Sequence, residues 1–472
     1  MSAQKFLYFA LLASCLEVSA SSSTPVPSAT IASPQAIETE FQNHLRTFSI
    51  SKSDGLTFID APLYNKLCGG ALCPRPGEAV IRPKSKPSEP TFIVAHYDAR
   101  LTYRHVSDMG RVISEISKME PPEQFEALKE LQRQDEIAFK NEIAKEQESI
   151  KRTFYMGGVS SNWFVSQLGL IFRFNPDASG LKTFANGPSY FDGYKSLNEF
   201  SESYEIAFPG FNEKGSYSRE WGPTFRFYGD DTKYFLFPQV EINSALRLTK
   251  FLRTVHKIPM RLFIGHADIA SASIVGGKTV TCKTDPGPDF WRHMIHEGRD
   301  VFFYPTFKLP LPEDWRGWSD KNFWDLLGIW GYDAQNALRY EPHEYRRNIL
   351  RAFRQHYITP VWGLPTPVVE STATVPAAKS LPTEGISHSL RLDEKLKGYS
   401  IFRNVTDQEM SEVDKLMILH LCIEYYNHND PITGIESEFR NNFETFLKTL
   451  PTEKGSWVMK MINTGTIAVS EF

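Results

Sequence analysis

The chain lacks several features that would assign it to a class at once. Its 52 basic and 56 acidic side chains give a net charge of -4, so there is no basic footprint for nucleic acid. No nucleophile elbow is present, and Gly276-Gly277-Lys278 lacks the rest of a phosphate-binding loop. The run from His293 to Glu297 lacks the second histidine of an HExxH zinc helix. What remains is chemistry carried by separate histidines and carboxylates.

Long apolar runs are also missing, because the N-terminal apolar run Phe6–Ala13 is too short to cross a bilayer as a helix. With its basic start, it predicts an export signal over residues 1–20. Two processing sites stay open. A Leu-Ala-Ser-Cys run resembles a bacterial lipobox and would leave Cys15 lipidated, whereas a Val-Ser-Ala run ending at Ala20 would release the protein. A flexible Ser/Pro-rich linker is predicted over residues 21–39.

Cysteine is scarce, with five in 472 residues. Cys68 and Cys73 are close enough in sequence to form a small disulfide in an oxidising compartment. Cys282 is a second candidate metal ligand beside Asp285, and Cys422 has no predicted role. The hydrophobic fraction of 41% and the aromatic fraction of 13% indicate a folded globular protein.

One segment, residues 265–288, contains candidates for two of the three protein ligands of a zinc site. The apolar run 261–264 predicts a buried strand from whose end His266 projects. Asp285 precedes a Pro-Gly-Pro turn that would hold its carboxylate still. A catalytic zinc ion usually keeps three protein ligands and one open position. His96, which ends another apolar strand-like run, is the best candidate for the third ligand.

Hydrolysis of an amide needs more than the metal. Zinc lowers the pKa of bound water to about 7, but a carboxylate must take the proton and a cation must face the developing oxyanion. Lys283 supplies a cation in the same segment. A glutamate on a third strand is expected, although the residues alone do not choose among many glutamates.

Four ordered blocks resemble the zinc-dependent N-acetylmuramoyl-L-alanine amidases of the AmpD and AmiD branch. The blocks are FIVAHYDA at 92–99, FANGPSYF at 184–191, LNEFSESYEI at 197–206, and GHADIA followed by KTDPGP within 265–288. That family cuts the amide between muramic acid and the stem peptide of peptidoglycan. The resemblance implies an α/β fold with a mixed central β-sheet flanked by helices.

Carried over position by position, the resemblance implies one zinc ion per chain. Its ligands would be His96, His266 and Asp285. Glu205 would polarise the attacking water and Lys283 would stabilise the tetrahedral oxyanion. The same match favours Asp285 over Cys282 as a ligand.

The chain departs from the family pattern in three places. Asn162 and Asn186 stand where the family commonly has histidine, and we predict that they contact substrate. Residues 271–282 are an insertion whose Gly-Gly pair predicts a small hairpin. Residues 119–152 form a charged insertion with helical periodicity, which predicts a solvated helix or helical hairpin covering the domain, with a lid or partner surface as the alternative.

The predicted domains are a catalytic domain at 40–315 and a smaller helical module at 316–472. Helices are predicted over 238–257 and 411–426. The module is similar to the C-terminal peptidoglycan-binding-like module of the AmiD branch, and a Pro-rich linker at 360–385 interrupts it.

The function predicted from these observations is zinc-dependent hydrolysis of the bond between N-acetylmuramic acid and L-alanine in peptidoglycan or muropeptides. One alternative is an inactive protein of the same fold that only binds peptidoglycan, and another is an exported effector or toxin. The resemblance favours a periplasmic outer-membrane lipoprotein anchored to the membrane through a lipid, with a secreted soluble protein as the alternative.

Overall fold

A computed structural model describes thirteen stretches of the chain. They are residues 34–63, 81–98, 106–210, 225–226, 233–270, 274–275, 278–279, 283–309, 311, 315–339, 343–362, 366–367 and 409–450. The predictions for Cys15, Cys68, Cys73 and Cys282 lie outside these stretches. Cys422 is described and is a buried free thiol.

The centre of the fold is a mixed seven-stranded sheet. Its strands are β1 (Ser49–Ser53), β2 (Leu56–Asp60), β3 (Phe92–Tyr97), β4 (Trp163–Val165), β5 (Ile171–Arg173), β6 (Ser201–Ile206) and β7 (Phe263–Gly265). The spatial order is β1-β2-β5-β4-β6-β3-β7. The β1/β2 and β4/β5 pairs are antiparallel and the other four are parallel. Strand β3 is buried along its whole length, as its apolar run requires of a central parallel strand.

Short strand pairs lie outside the sheet. They pair Arg82–Pro83 with Leu181–Lys182, Tyr190–Phe191 with Tyr194–Lys195, Phe225–Arg226 with both Lys233–Tyr234 and Thr366–Pro367, and Ile274–Val275 with Lys278–Thr279. The last pair forms where the Gly-Gly pair of the insertion predicts a hairpin.

Helices surround the sheet. They are α1 (Pro34–Leu45), α2 (Asp108–Ser117), α3 (Pro121–Gln134), α4 (Glu136–Gly157), α5 (Gln239–His256), α6 (His266–Ala270), α7 (Pro288–Glu297), α8 (Asp320–Trp330), α9 (Ala334–Arg339), α10 (His343–Phe353), α11 (Thr359–Trp362), α12 (Glu412–Tyr426) and α13 (Ser437–Thr449). A π-helical turn, Arg354–Ile358, joins α10 to α11, and 3-10 turns lie at Leu197–Glu199, Met260–Leu262 and Trp315–Gly317.

Two apolar cores lie on the two faces of the sheet. Phe58 and Ile59 are adjacent in β2 yet belong to different cores, because successive side chains of a strand point to opposite faces. Trp163 and Phe164 divide in the same way on β4. The predicted fold class, a mixed sheet flanked by helices, is therefore confirmed.

The charged insertion folds as helices α3 and α4. Helix α3 packs on β1 and β2. Leu128, Phe139 and Ile143 are buried in the core on that face, while most charged side chains face outward. The side chain of Asp135 accepts a hydrogen bond from the Ala138 backbone N–H and so caps the start of α4. The insertion thus covers one face of the sheet.

The C-terminal helices share the core on the other face. Trp330 of α8, Tyr357 and Phe439 of α13 belong to the same cluster as β3. The predicted division at residue 315 stays a prediction. In the part of the chain that the structure describes, no helix is both long enough and apolar enough to cross a membrane.

The strand predicted over 261–264 differs in the structure. Met260–Leu262 form a 3-10 turn after Pro259, and β7 begins only at Phe263. Arg261 lies in this turn, where its buried guanidinium forms ion pairs with Asp192 and Glu436.

Candidate metal centre

Three adjacent parallel strands bring the candidate site residues to one edge of the sheet. Strand β3 lies between β6 and β7. On one side, Glu205 of β6 pairs directly with His96 of β3. On the other, Gly265 pairs with Ala95, so that His266, the next residue, lies beside His96. Parallel strands end at the same edge, and that edge is where side chains from separate strands meet.

The backbone brings Asp285 against His266. The Ala267 N–H donates to the Asp285 carbonyl oxygen over 2.9 Å. Gly265 allows this approach, because a Cβ placed there would lie 2.5 Å from Pro286 Cδ. The Pro-Gly-Pro turn predicted from the sequence therefore packs against Gly265, the last residue of β7.

The three predicted metal ligands converge. His96 Nδ1 lies 3.0 Å from His266 Nδ1, and Asp285 Oδ2 lies 3.0 Å from His266 Nδ1 and 3.3 Å from His96 Nδ1. All three residues are buried. Zinc–nitrogen bonds of about 2.0–2.1 Å at tetrahedral angles separate two ligand atoms by about 3.4 Å, so this donor set fits such an ion closely.

The protonation states of the three predicted ligands, called the triad below, favour binding of a cation. Burial lowers the pKa of His266 to about 4, so its ring is neutral near pH 7. Burial alone would raise the pKa of Asp285, but His266 and His96 outweigh it and hold that pKa well below its usual range. Burial opposes protonation of His96, yet Glu205 and Asp285 together raise its pKa. A metal ion would take the place of that proton between the two rings and the carboxylate.

Glu205 has the properties of a general base. Burial, with the nearby Asp285 carboxylate adding to it, raises the pKa of Glu205 to about 7, against the opposing charges of His96 and Lys283. Lys283 thus lies near enough to act on this carboxyl group, and it also acts on His266. A carboxylate whose pKa lies near the working pH is well matched to proton transfer.

Both predicted substrate-contacting asparagines are buried. Asn186 Oδ1 lies 3.0 Å from His96 Nε2, so the structure brings this residue to the triad. Asn162 instead accepts hydrogen bonds from the Ser203 N–H and the Thr183 hydroxyl. Their burial and these contacts favour roles inside the protein, and contact with substrate stays a prediction.

Other contacts were not anticipated from the sequence. Ser201 and Ser203 hydrogen-bond to Asn186. Ser201, Ser203 and Glu205 are spaced two residues apart in β6, so their side chains share one face of the strand. This spacing in the sequence could have indicated that both serines lie near the site. Asp268 accepts hydrogen bonds from the Gly265 N–H and the Tyr332 hydroxyl, which ties α6 to the C-terminal helices. No local sequence pattern predicted the contact between Asp268 and Tyr332.

Comparison with known proteins gives only distant structural likenesses. No family model matches the chain, and no curated protein matches it. One solved structure is the N-acetylmuramyl-L-alanine amidase AmiD from E. coli in complex with anhydro-N-acetylmuramic acid-L-Ala-D-gamma-Glu-L-Lys. It is 16% identical, with a TM-score of 0.34, and the match covers 61% of this chain and 87% of AmiD.

Two further solved structures are similar at the same level. AmpDh3 from Pseudomonas aeruginosa is 16% identical, with a TM-score of 0.34 over 66% of this chain and 95% of its own. AmpD is 17% identical, with a TM-score of 0.27 over 51% of this chain and 99% of its own. Likenesses this distant carry no argument about activity, which has to come from the site.

Proposed function

We propose that the protein is a zinc-dependent amidase that hydrolyses the bond between N-acetylmuramic acid and L-alanine in peptidoglycan or muropeptides. One observation carries the hydrolytic part of the proposal. Two histidine nitrogens and one carboxylate oxygen converge within 3.0–3.3 Å, next to a glutamate whose pKa is raised to about 7. The four sequence blocks that resemble the AmpD and AmiD branch supply the substrate class.

The residues divide the chemistry among them. His96, His266 and Asp285 would hold the zinc ion, which when bound acidifies water and polarises a carbonyl group. The Glu205 carboxylate takes a proton from the attacking water and returns it to the departing amine of L-alanine. The Lys283 ammonium faces the negative charge that develops on the carbonyl oxygen.

The proposal extends to location. Export, followed by lipid anchoring at Cys15 or by release, would place the protein where peptidoglycan is. The mature N-terminus, determined by mass spectrometry on protein from the native membrane fraction, distinguishes the two routes.

Replacement of Glu205 tests the chemistry. Glu205→Gln keeps the size of the side chain but cannot accept the proton, so we expect turnover of a purified muropeptide to fall by about 10²–10⁴-fold. Zinc content should stay at one ion per chain, since Glu205 is not a ligand. Both are measured on the same preparation, by mass spectrometry of products and by atomic absorption.

The rival functions give different results in that experiment. Loss of zinc in Glu205→Gln would show that the base is misassigned. Wild-type protein that holds zinc and binds muropeptide but releases no stem peptide would be a binding protein.

A further inference from the structure

A buried hydrogen-bond network lies behind His96, on the side away from the other ligands. His96 uses Nδ1 toward His266 and Asp285, and its other nitrogen, Nε2, lies 3.0 Å from Asn186 Oδ1. Asn186 has no exposed surface. This residue stands where the resembling family commonly has histidine, so its role cannot be carried over from the family.

Two hydroxyl groups of β6 hydrogen-bond to the Asn186 amide. Asn186 Nδ2 donates to Ser201 Oγ over 2.7 Å, and Ser203 Oγ donates to Asn186 Oδ1 over 3.1 Å. Ser201 Oγ and Ser203 Oγ lie 3.3 Å apart, which closes a ring of hydrogen bonds. The Asn186 backbone N–H donates to Asn198 Oδ1, which anchors the residue from its other side. In this arrangement the amide oxygen faces His96 Nε2.

An amide oxygen accepts a hydrogen bond and cannot donate one. In the neutral ring, the nitrogen that faces it, His96 Nε2, must then carry the single proton, so that Nδ1 can offer its lone pair to a metal ion that replaces the proton between the three ligands. With the amide reversed, its NH₂ group would face Nε2, the proton would move to Nδ1, and His96 could not ligate a metal through that atom.

We propose that Asn186 is a positioning residue that selects the metal-binding tautomer of His96. The proposal rests on the metal site described under the proposed function. Histidines that bind metals generally donate their second N–H to an acceptor, and loss of the acceptor typically weakens metal binding by about 10–100-fold. In this chain the acceptor is a neutral amide held by two serines.

The test compares three variants of the full chain. Asn186→Leu removes the acceptor at similar size, and Asn186→Asp restores it, with the serine hydroxyls free to donate. Asn175→Leu is the matched control, because Asn175 is also buried, but its amide accepts from the Asp177 N–H and donates to the Leu181 carbonyl oxygen. Zinc affinity is measured by competition with a chromogenic chelator, and folding by circular dichroism.

We expect zinc to bind about 10–100-fold more weakly to Asn186→Leu, and at least as tightly as in the wild type to Asn186→Asp. Asn175→Leu should lower thermal stability while leaving zinc affinity within about threefold of the wild type. Nitrogen-15 spectra of the zinc-loaded wild type should show a slowly exchanging Nε2–H on His96, identified by its loss in His96→Gln.

Several results would overturn the proposal. These are wild-type affinity in Asn186→Leu, no rescue by Asn186→Asp, or a proton on Nδ1 of His96 in the zinc-loaded protein. If Asn186→Leu does not fold, the nitrogen-15 spectrum of the wild type and the zinc affinity of Asn186→Asp still test the proposal. If the zinc affinities follow the predicted ranking but muropeptide is not turned over, only the amidase proposal is contradicted. If the wild type does not bind zinc, both proposals are contradicted.

Discussion

At the scale of single residues, burial determines which groups carry charge. His44 is a half-buried residue near the end of α1, and its Nε2 is 3.2 Å from Lys151 Nζ and 3.1 Å from the Tyr155 hydroxyl. Burial first, and Lys151 second, lower the pKa of His44 to about 3. The same principle acts at the metal centre, where burial makes His266 neutral and Glu205 basic.

His44 should therefore make the protein acid-sensitive. An unfolded histidine titrates near 6.5, so between about pH 6.5 and 3 the unfolded state binds more protons and stability falls as the pH falls. For His44→Gln we expect this slope to be smaller, by up to about 1 kcal/mol per pH unit. Urea unfolding of both proteins between about pH 5 and pH 7 measures it. Parallel slopes for variant and wild type would contradict the account.

At the scale of elements, the close contact between β7 and the turn after Asp285 sets the ligand distances. Gly265→Ala would place a methyl group 2.5 Å from Pro286 Cδ, so one segment must shift. We expect zinc affinity to fall at least about tenfold, since misplaced ligands lose coordination geometry. Chelator competition measures this.

Gly328 provides the control. A Cβ added there, within α8, would meet only Ala334 Cβ at 3.6 Å, an ordinary contact. Gly328→Ala should keep wild-type zinc affinity and raise stability by about 0.5–1 kcal/mol. Equal zinc affinities in the two variants would refute the proposed role of Gly265.

Local sequence predicts some of these elements and misses others. The apolar runs before His96 and His266 predict strands, and the structure has them at Phe92–Tyr97 and Phe263–Gly265, the second starting two residues later than predicted. Strand pairing is a non-local property, so residues alone could not choose Glu205, which the resemblance selected and which pairs with His96 in the structure. The contact between Asn186 and His96 joins residues 90 positions apart and could not be inferred from spacing. Arg261 lies in an apolar run but forms ion pairs with two carboxylates that are distant in sequence, which the local pattern did not predict.

At the scale of the whole molecule, buried ion pairs join the C-terminal helices to the sheet. Arg261, 2% exposed, pairs with Asp192 beside the sheet and with Glu436 at the start of α13. Arg253 of α5 pairs with Asp430, and both are buried. Together with the shared apolar core, these contacts connect the helices of residues 409–450 to the strand that precedes His266.

Breaking the Arg261 contacts should therefore weaken the whole protein. Arg261→Met leaves two largely buried carboxylates unpaired, and we expect the free energy of unfolding to fall by about 3–5 kcal/mol. Lys250→Met is the control, because the Lys250–Asp300 pair is about half exposed and should change stability by less than about 1 kcal/mol. Urea denaturation of both variants provides the comparison, and similar losses in the two would show that Arg261 does not join these parts.

The central claim, hydrolysis of the muramoyl–L-alanine bond, is tested most directly by the fate of the oxygen atom of water. Zinc-loaded protein is incubated with a purified muropeptide in water enriched in heavy oxygen, and the products are analysed by mass spectrometry. We predict that the label enters the lactyl carboxylate of the muramic acid product and that an unlabelled peptide with a free N-terminal L-alanine is released. Label in a peptide carboxylate, or no release of peptide by the zinc-loaded protein, would contradict the claim.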